Sequence, residues 1–270
     1  MSDIPFALPE FEPGWVWLAG AGPGDPGLLT LLAWHGLTHA DVVVYDALVS
    51  EEILASVPRA IPREHAGKRG GKPSPTQADI SLRLIEHARR GKRVLRLKGG
   101  DPMVFGRGGE EALHLAEAGI PFRVIPGISA GIGGLAYAGI PLTHRDTNSA
   151  VTFLTGHNAM GAVPDQIDWT SVAKGSPVLV IYMALKHLEP IVERLIAGGR
   201  RADEPVAIVS DATLPTQRVV ETTLRRAAEA AAAARIEPPA IVVVGEVVTL
   251  RRELDWLGRF VARRKVAAAP

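Results

Sequence analysis

Three glycine-bearing strings could do chemistry, and each invites a different reaction. Gly20-Ala21-Gly22-Pro23-Gly24-Asp25 follows a short apolar run, where a dinucleotide pyrophosphate would be cradled. The fit fails in detail, because that fingerprint needs glycine at its sixth position and Asp25 stands there. Pro23 removes an N–H that a phosphate would use, and the Asp25 carboxylate would repel it. The same turn still lets a ligand without phosphates approach the backbone closely. Gly127-Ile128-Ser129-Ala130-Gly131 matches the nucleophile elbow of a serine hydrolase, between an expected strand and an expected helix. A triad would draw on His144, His157 or His187, but no Asp–His pair falls at an evident strand end. A serine hydrolase using Ser129 therefore stands as the alternative from another class. The third string runs Lys98-Gly99-Gly100-Asp101-Pro102 and continues as Phe105-Gly106-Arg107-Gly108-Gly109-Glu110-Glu111. Its glycines let backbone N–H and C=O groups face a ligand, and Asp101 could face a cationic one.

Other chemistries are excluded or weak. The chain has no cysteine, so thiolate catalysis, Cys-ligated zinc and iron–sulfur clusters are ruled out. His35 and His39 have i, i+4 spacing but no third ligand nearby, and both read as helix-surface residues; no metal is expected. Gly71-Lys72 is followed by Pro73, which breaks a phosphate-loop pattern. The formal net charge of +1 hides an asymmetry, since residues 59–107 carry a net +9 and the remainder a net −8. A local basic zone points to an anionic ligand. It has little aromatic interleaving, so nucleic acid is not the expected partner.

The elements that must carry these strings follow from apolar patterning. Strands are expected at Trp15–Ala19, Asp41–Tyr45, Arg93–Leu97 and Phe122–Ile125, with helices at Leu28–His39, Gln77–Arg90, Gly109–Ala118 and Ser129–Tyr137. That alternation implies a largely parallel sheet. Beyond the polar stretch Thr143–Ser149 come expected strands at Ala150–Thr155, Val178–Met183, Pro205–Val209 and Ala240–Val244. Helices are expected at Leu188–Ala197 and Leu224–Arg235, and an antiparallel element at Val219–Thr223. The organisation expected is an arm over 1–13, α/β domains over 14–142 and 147–250 with a cleft between them, and a tail over 251–270. The uncharged run Val124–Thr143 is 20 residues long, but its glycines and prolines read as small-residue packing and not as a membrane span. A soluble, cytoplasmic protein is the default.

Taken together the strings resemble the uroporphyrinogen-III C-methyltransferase branch of the tetrapyrrole methylase family. The resemblance covers about residues 15–257 and rests on long strings in order. They include GAGPGDPGLLT (20–30), DVVVYDALVS (41–50), GKRGGK (67–72), RLKGGDPMVFGRGGEE (96–111), VIPGISA (124–130), GIPLTHRD (139–146) and PPAIVVVGEVV (238–248). Some family members carry a dehydrogenase–chelatase domain upstream. Only about 14 residues precede the first strand here, so a monofunctional chain is expected.

The resemblance implies two α/β domains with S-adenosylmethionine between them and no metal. That donor bears a sulfonium and no phosphate, in line with the failed phosphate patterns. Cofactor contacts are implied at Pro23, Gly99, Gly100, Asp101, Val104, Ser129, Ala130, Met183, Ala212 and Ala240. The implied substrate is uroporphyrinogen III, a reduced macrocycle with eight carboxylates, for which Lys68, Arg69, Arg107 and Arg145 are the candidate partners. The implied reaction is methylation at C2 and then C7, giving precorrin-2 by way of precorrin-1 for cobalamin or sirohaem synthesis. A later precorrin is the alternative substrate within the same fold. Asp46 is implied as proton acceptor and Lys68 as proton donor, and the assembly as a homodimer.

Overall fold

The computed structural model describes residues 6–66, 77–158 and 161–258. The chain divides into two compact units, Met1–Ser129 and Ala130–Pro270. The division falls earlier than the polar stretch Thr143–Ser149, where the sequence suggested it. The physical reason lies in the helix Ala130–Tyr137 and the turn after it. Leu135, Ala138 and Ile140 belong to one buried cluster with Val180, Val209 and Val243 of the second unit.

In the first unit the order is β1 (Val16–Gly20), α1 (Leu31–His39), β2 (Val42–Tyr45), α2 (Glu51–Ala55), β3 (Arg63–His65), α3 (Gln77–Arg89), β4 (Val94–Lys98), α4 (Gly108–Glu117) and β5 (Phe122–Ile125). The strands form one sheet in the order β3-β2-β4-β1-β5, and every pairing is parallel. All five residues of β1 are buried, as expected for a parallel strand covered on both faces. Trp17, Ala19, Val43, Leu95 and Leu97 pack with Leu37 of α1 and Ile53 of α2. Val16, Leu18, Val42, Val44 and Val94 pack with Leu84 of α3 and Leu115 of α4.

This strand order decides where a ligand can bind. From β1 the chain leaves for β2 on one side, and from β4 it leaves for β5 on the other. Adjacent strands whose connections depart in opposite directions open a crevice at their carboxyl ends, where ligands of open α/β sheets sit. Those ends carry Gly20–Gly24 and Lys98–Asp101.

The second unit holds α5 (Ala130–Tyr137), β6 (Thr152–Thr155), α6 (Trp169–Gly175), β7 (Leu179–Tyr182), α7 (Leu188–Ala197), β8 (Pro205–Ser210), β9 (Arg218–Thr223), α8 (Ala227–Ala233), β10 (Ala240–Val244) and α9 (Arg251–Leu254). Its sheet order is β6-β7-β10-β8-β9. Only β6–β7 is parallel; β10 runs against both β7 and β8, and β9 against β8. One face carries α6, α7 and α8 through Trp169, Ile191, Leu195 and Ala231. The other receives Leu135 of α5 and Val247.

Several sequence expectations are refined. The helix expected from Leu28 begins at Leu31, because Thr30 caps it by accepting from the Ala33 N–H at 3.1 Å. A separate single turn, Pro26–Leu28, precedes it. His35 is less exposed than the sequence suggests. It is half-buried, with its ring 5.9 Å from Trp17 and 4.1 Å from His39. Among the described residues no helix is long and apolar enough to cross a membrane.

The placement of His35 has a measurable consequence. Burial foremost, then the charge of His39, hold its pKa below the ordinary 6.5, against a raising hydrogen bond with the Pro9 backbone. A folded-state value below the unfolded one means that the unfolded chain binds more protons. The stability His35 contributes is complete above about pH 6.5 and is lost as pH falls through its folded value. Chemical denaturation followed from about pH 7 to pH 5 should therefore show a shallower loss for His35→Gln than for the native chain. Parallel profiles would contradict this.

Candidate functional site

At the carboxyl edge of the first sheet, three loops touch through main-chain atoms. Gly22 and Gly100 form a bridge, with Gly100 N–H donating to Gly22 O at 2.7 Å and Gly22 N–H to Gly100 O at 3.2 Å. A Cβ on Gly20 would lie 2.5 Å from Gly100 O and 2.5 Å from Gly127 Cα, so only glycine permits this approach. A Cβ on Gly99 would lie 2.6 Å from Leu48 Cβ, which draws in the loop after β2 as well. Asp101 ties the edge together: Oδ1 accepts from Met103 N–H at 2.7 Å and Oδ2 from Gly127 N–H at 2.9 Å. Its carboxylate thus braces the turn as well as facing it. Ser129 is buried, and its Cα lies 3.8 Å from where a Gly100 Cβ would stand. Pro23, Gly99, Gly100, Asp101, Val104 and Ser129 are therefore carried by loops at one edge. Val104 is exposed there beside Met103 and Phe105.

The remaining expected cofactor positions share one edge of the second sheet. Met183 follows β7 and Ala212 follows β8, while Ala240 begins β10, paired with Ser210; the next residue, Ile241, pairs with Tyr182. Gly131 N–H donates to the Tyr182 hydroxyl at 2.9 Å, and a Cβ on Gly134 would lie 2.7 Å from Ala212 Cβ. These two contacts bring α5, whose first residue is Ala130, to the same edge. Backbone strain gathers at these loops. Phe105, Arg107, Met183, Asp211 and Thr213 all have positive φ, between 48° and 70°. Strained non-glycine residues persist where surrounding structure over-determines them, commonly at ligand sites.

Asp46 lies at the end of β2, where its N–H donates to Leu97 O at 3.1 Å. Its side chain is 31% exposed, and both oxygens meet cations that the sequence reading did not single out. Arg96 Nη2 donates to Asp46 Oδ1 at 2.5 Å, and Lys98 Nζ lies 3.4 Å from Oδ2. The same two cations reach Glu111 Oε1, Arg96 through Nε at 3.0 Å and Lys98 at 3.1 Å. Gln77 Nε2 adds a bond to that oxygen at 2.6 Å. Arg96, Lys98 and Glu111 are at most 3% exposed. Two buried cations thus lie between a buried carboxylate and a partly exposed one.

Arg107 stands at the head of α4 with φ 59° and forms a two-pronged pair with Glu110, through Nε at 2.9 Å and Nη2 at 2.6 Å. Those bonds from Arg107 hold the Glu110 carboxyl below its ordinary range. Both side chains are more than half exposed, so the pair contributes little to stability. Arg145 is exposed at the tip of a turn closed by the His144–Asn148 bridge. Asn148 holds that turn by accepting from His144 N–H at 3.1 Å and donating to Leu142 O at 2.8 Å. Lys68 and Arg69 lie outside the described residues.

The hydrolase alternative gains no support. His144 Nδ1 accepts from Asp146 N–H, His157 Nδ1 meets Asn158 O, and His187 Nε2 meets Gly161 O at 2.6 Å. Each imidazole meets a backbone group, where a triad would have a carboxylate orient it. Among the described residues no group of three His, Asp or Glu is placed to hold a metal ion.

The profile of the Tetrapyrrole (Corrin/Porphyrin) Methylases matches residues 16–228. A uroporphyrinogen-III C-methyltransferase of Sinorhizobium sp is 64% identical over 270 residues, covering 100% of this chain and 96% of that protein. A siroheme synthase of Acinetobacter baylyi is 50% identical over 244 residues, 90% of this chain but 53% of that protein, so this chain spans about half its length. Among solved structures, a uroporphyrin-III C-methyl transferase from Thermus thermophilus complexed with S-adenyl homocysteine gives a TM-score of 0.76 at 41% identity, covering 87% of this chain and 99% of that one. A cobalt precorrin-4 methyltransferase gives 0.78 at 26% identity, covering 89% and 98%.

Proposed function

We propose, given that this chain belongs to the tetrapyrrole (corrin/porphyrin) methylases, that it catalyses S-adenosylmethionine-dependent C-methylation of uroporphyrinogen III at C2 and C7, forming precorrin-2 by way of precorrin-1. The observation that carries this reading is the placing of a partly exposed, ion-paired Asp46 at the same carboxyl edge as the glycine loops of Gly22 and Gly100. The uroporphyrinogen-III C-methyltransferase similar along nearly its whole length supports it.

The residues at that edge fit such a donor. Their backbone N–H and C=O groups and the exposed Met103 and Val104 offer polar main chain beside apolar surface, which suits a nucleoside without phosphates. Pro23, Gly99, Gly100, Asp101, Val104 and Ser129 would hold it at the edge of the first sheet, and the resemblance implies the same part for Ala130, Met183, Ala212 and Ala240. When bound, it supplies a methyl group on a sulfonium, already activated for transfer. The chain's own task is then alignment, worth up to about 7–11 kcal/mol for well-placed reactants. Arg107 and Arg145 present exposed cations for substrate carboxylates, with Glu110 setting the direction of the Arg107 guanidinium. Lys68 and Arg69 take the same part in this reading, Lys68 also as proton donor. Asp46 takes the proton that the methylated macrocycle must lose. A homodimer, implied by the resemblance, and a cytoplasmic setting complete the proposal.

The test is incubation of the protein with uroporphyrinogen III and S-adenosylmethionine. Two equivalents of S-adenosylhomocysteine should be released per macrocycle, with a fluorescent, oxidisable dimethylated product. Isothermal titration with S-adenosylhomocysteine should register binding. No heat and no product would overturn the proposal, and turnover of a later precorrin alone would move it to the alternative substrate.

A further inference from the structure

We propose that Glu111 is a positioning residue for this reaction: it holds Lys98 and Arg96 from behind and so keeps their charge from closing over Asp46. The proposal rests on the reading of Asp46 as proton acceptor.

The geometry is that of a shared array. Lys98 Nζ is nearer Glu111 Oε1, at 3.1 Å, than Asp46 Oδ2, at 3.4 Å. Arg96 reaches Glu111 Oε1 through Nη2 at 3.0 Å as well as through Nε, and touches Asp46 through Nη2 alone. Gln77 of α3 fixes Glu111 Oε1 from a third side. The four ionised groups cancel in formal charge. The array has a fully buried end at Glu111 and a partly exposed end at Asp46.

Folding alone does not call for such an array. A buried ion cluster is often no more stable than apolar residues of equal volume. Glu111 Oε2 is also buried without a hydrogen-bond partner among the described residues, which costs stability. What the array does supply is a carboxylate whose two cations are half engaged elsewhere. Without the charge on Glu111, two buried cations would face Asp46 alone. Lys98 would draw closer, and the Asp46 lone pairs would be taken up by ammonium and guanidinium donors. A proton acceptor so saturated is a weaker base. Among the described residues, Arg107 and Glu110 at the head of α4 also carry charge near the array, and they pair with each other. On the β2 and β3 side, Tyr45 and His65 pack edge to face at 5.3 Å.

The experiment compares the native chain, Asp46→Asn, Glu111→Gln, Lys98→Met and the double variant Lys98→Met/Glu111→Gln. Each is assayed for S-adenosylhomocysteine release from uroporphyrinogen III, with kcat and KM resolved across pH. For Glu111→Gln the expected result is a kcat lower by at least about tenfold. The KM for both substrates should stay within about twofold, and the acid limb of the kcat profile should move to lower pH. In the Lys98→Met background the Glu111 substitution should cost clearly less than in the native chain, because one of the two cations it restrains is gone and only Arg96 remains. A native kcat and pH profile in Glu111→Gln overturns the proposal, as do losses that simply add. If Glu111→Gln does not fold, the double variant decides against Lys98→Met: a further loss of less than about tenfold supports the proposal, while a larger one or failure to fold overturns it. A native chain without turnover, or a fully active Asp46→Asn, would instead overturn the function or the proton-acceptor role on which the inference rests.

Discussion

Asp46→Asn should lower turnover by about 10²- to 10⁴-fold, the range that a positioned general base contributes. Binding of S-adenosylhomocysteine should stay within about twofold of native. The substitution keeps the shape of the side chain, and the amide oxygen can still accept from Arg96 Nη2, as the carboxylate does at 2.5 Å. The loops of Gly22, Gly100 and Gly127 are held by main-chain bonds and by Asp101, none of which involves the Asp46 side chain. Binding and chemistry should therefore separate: titration calorimetry reads the first and the rate of methyl transfer the second. A variant that binds normally and turns over near the native rate would remove Asp46 as proton acceptor. A variant that has also lost binding would show that the ion array shapes the glycine loops.

Most of the framework was legible because apolar period and punctuation agree. Helix α7 and strand β5 fall on their expected bounds, since Leu188, Ile191, Val192 and Leu195 make a clean helical stripe and Gly119 and Pro126 bracket the strand. Strand β3 was not expected, because Arg-Glu-His offers no apolar pattern; main-chain pairing to β2 alone makes it a strand. The short helices α2 and α6 are too brief to show a helical period, although Ser50 and Asp168 cap them, accepting from Ile53 and Ser171.

The ion array was the more consequential omission, and the sequence does carry its signal. Gly108, Glu111, Ala112 and Leu115 stand at i, i+3, i+4 and i+7 on the buried stripe of α4. Val94, Arg96 and Lys98 alternate along one face of β4. A carboxylate on a buried stripe opposite two cations on a buried strand face is a predictable pair. A reading that assigns charge to solvent by default misses it. The glycine strings were read for ligand approach, but their closest contacts are with one another, a fact of tertiary structure that no local pattern encodes.

That mutual contact sets the second large effect. Gly127→Ala should unfold the protein at markedly lower denaturant and weaken S-adenosylhomocysteine binding by at least about tenfold, equivalent to about 1.4 kcal/mol. A Cβ at this position would lie 2.2 Å from Gly100 O and 2.6 Å from Gly20 Cα. Both neighbours are backbone, so no side chain can rotate away. The strain must be relieved by moving the loop of Gly100 off the loop of Gly20. That movement strains the Gly22–Gly100 bridge and the bond from Gly127 N–H to Asp101 Oδ2 at 2.9 Å. Overpacking of this kind costs about 1–3 kcal/mol. Gly109→Ala is the internal control. It lies in α4, and its Cβ would meet nothing within 4 Å. There the substitution should leave binding unchanged and stabilise the fold by about 0.5–1 kcal/mol, the helix preference of alanine over glycine. Equal effects at the two positions would mean that loss of glycine flexibility, and not the close approach of three backbones, governs the site.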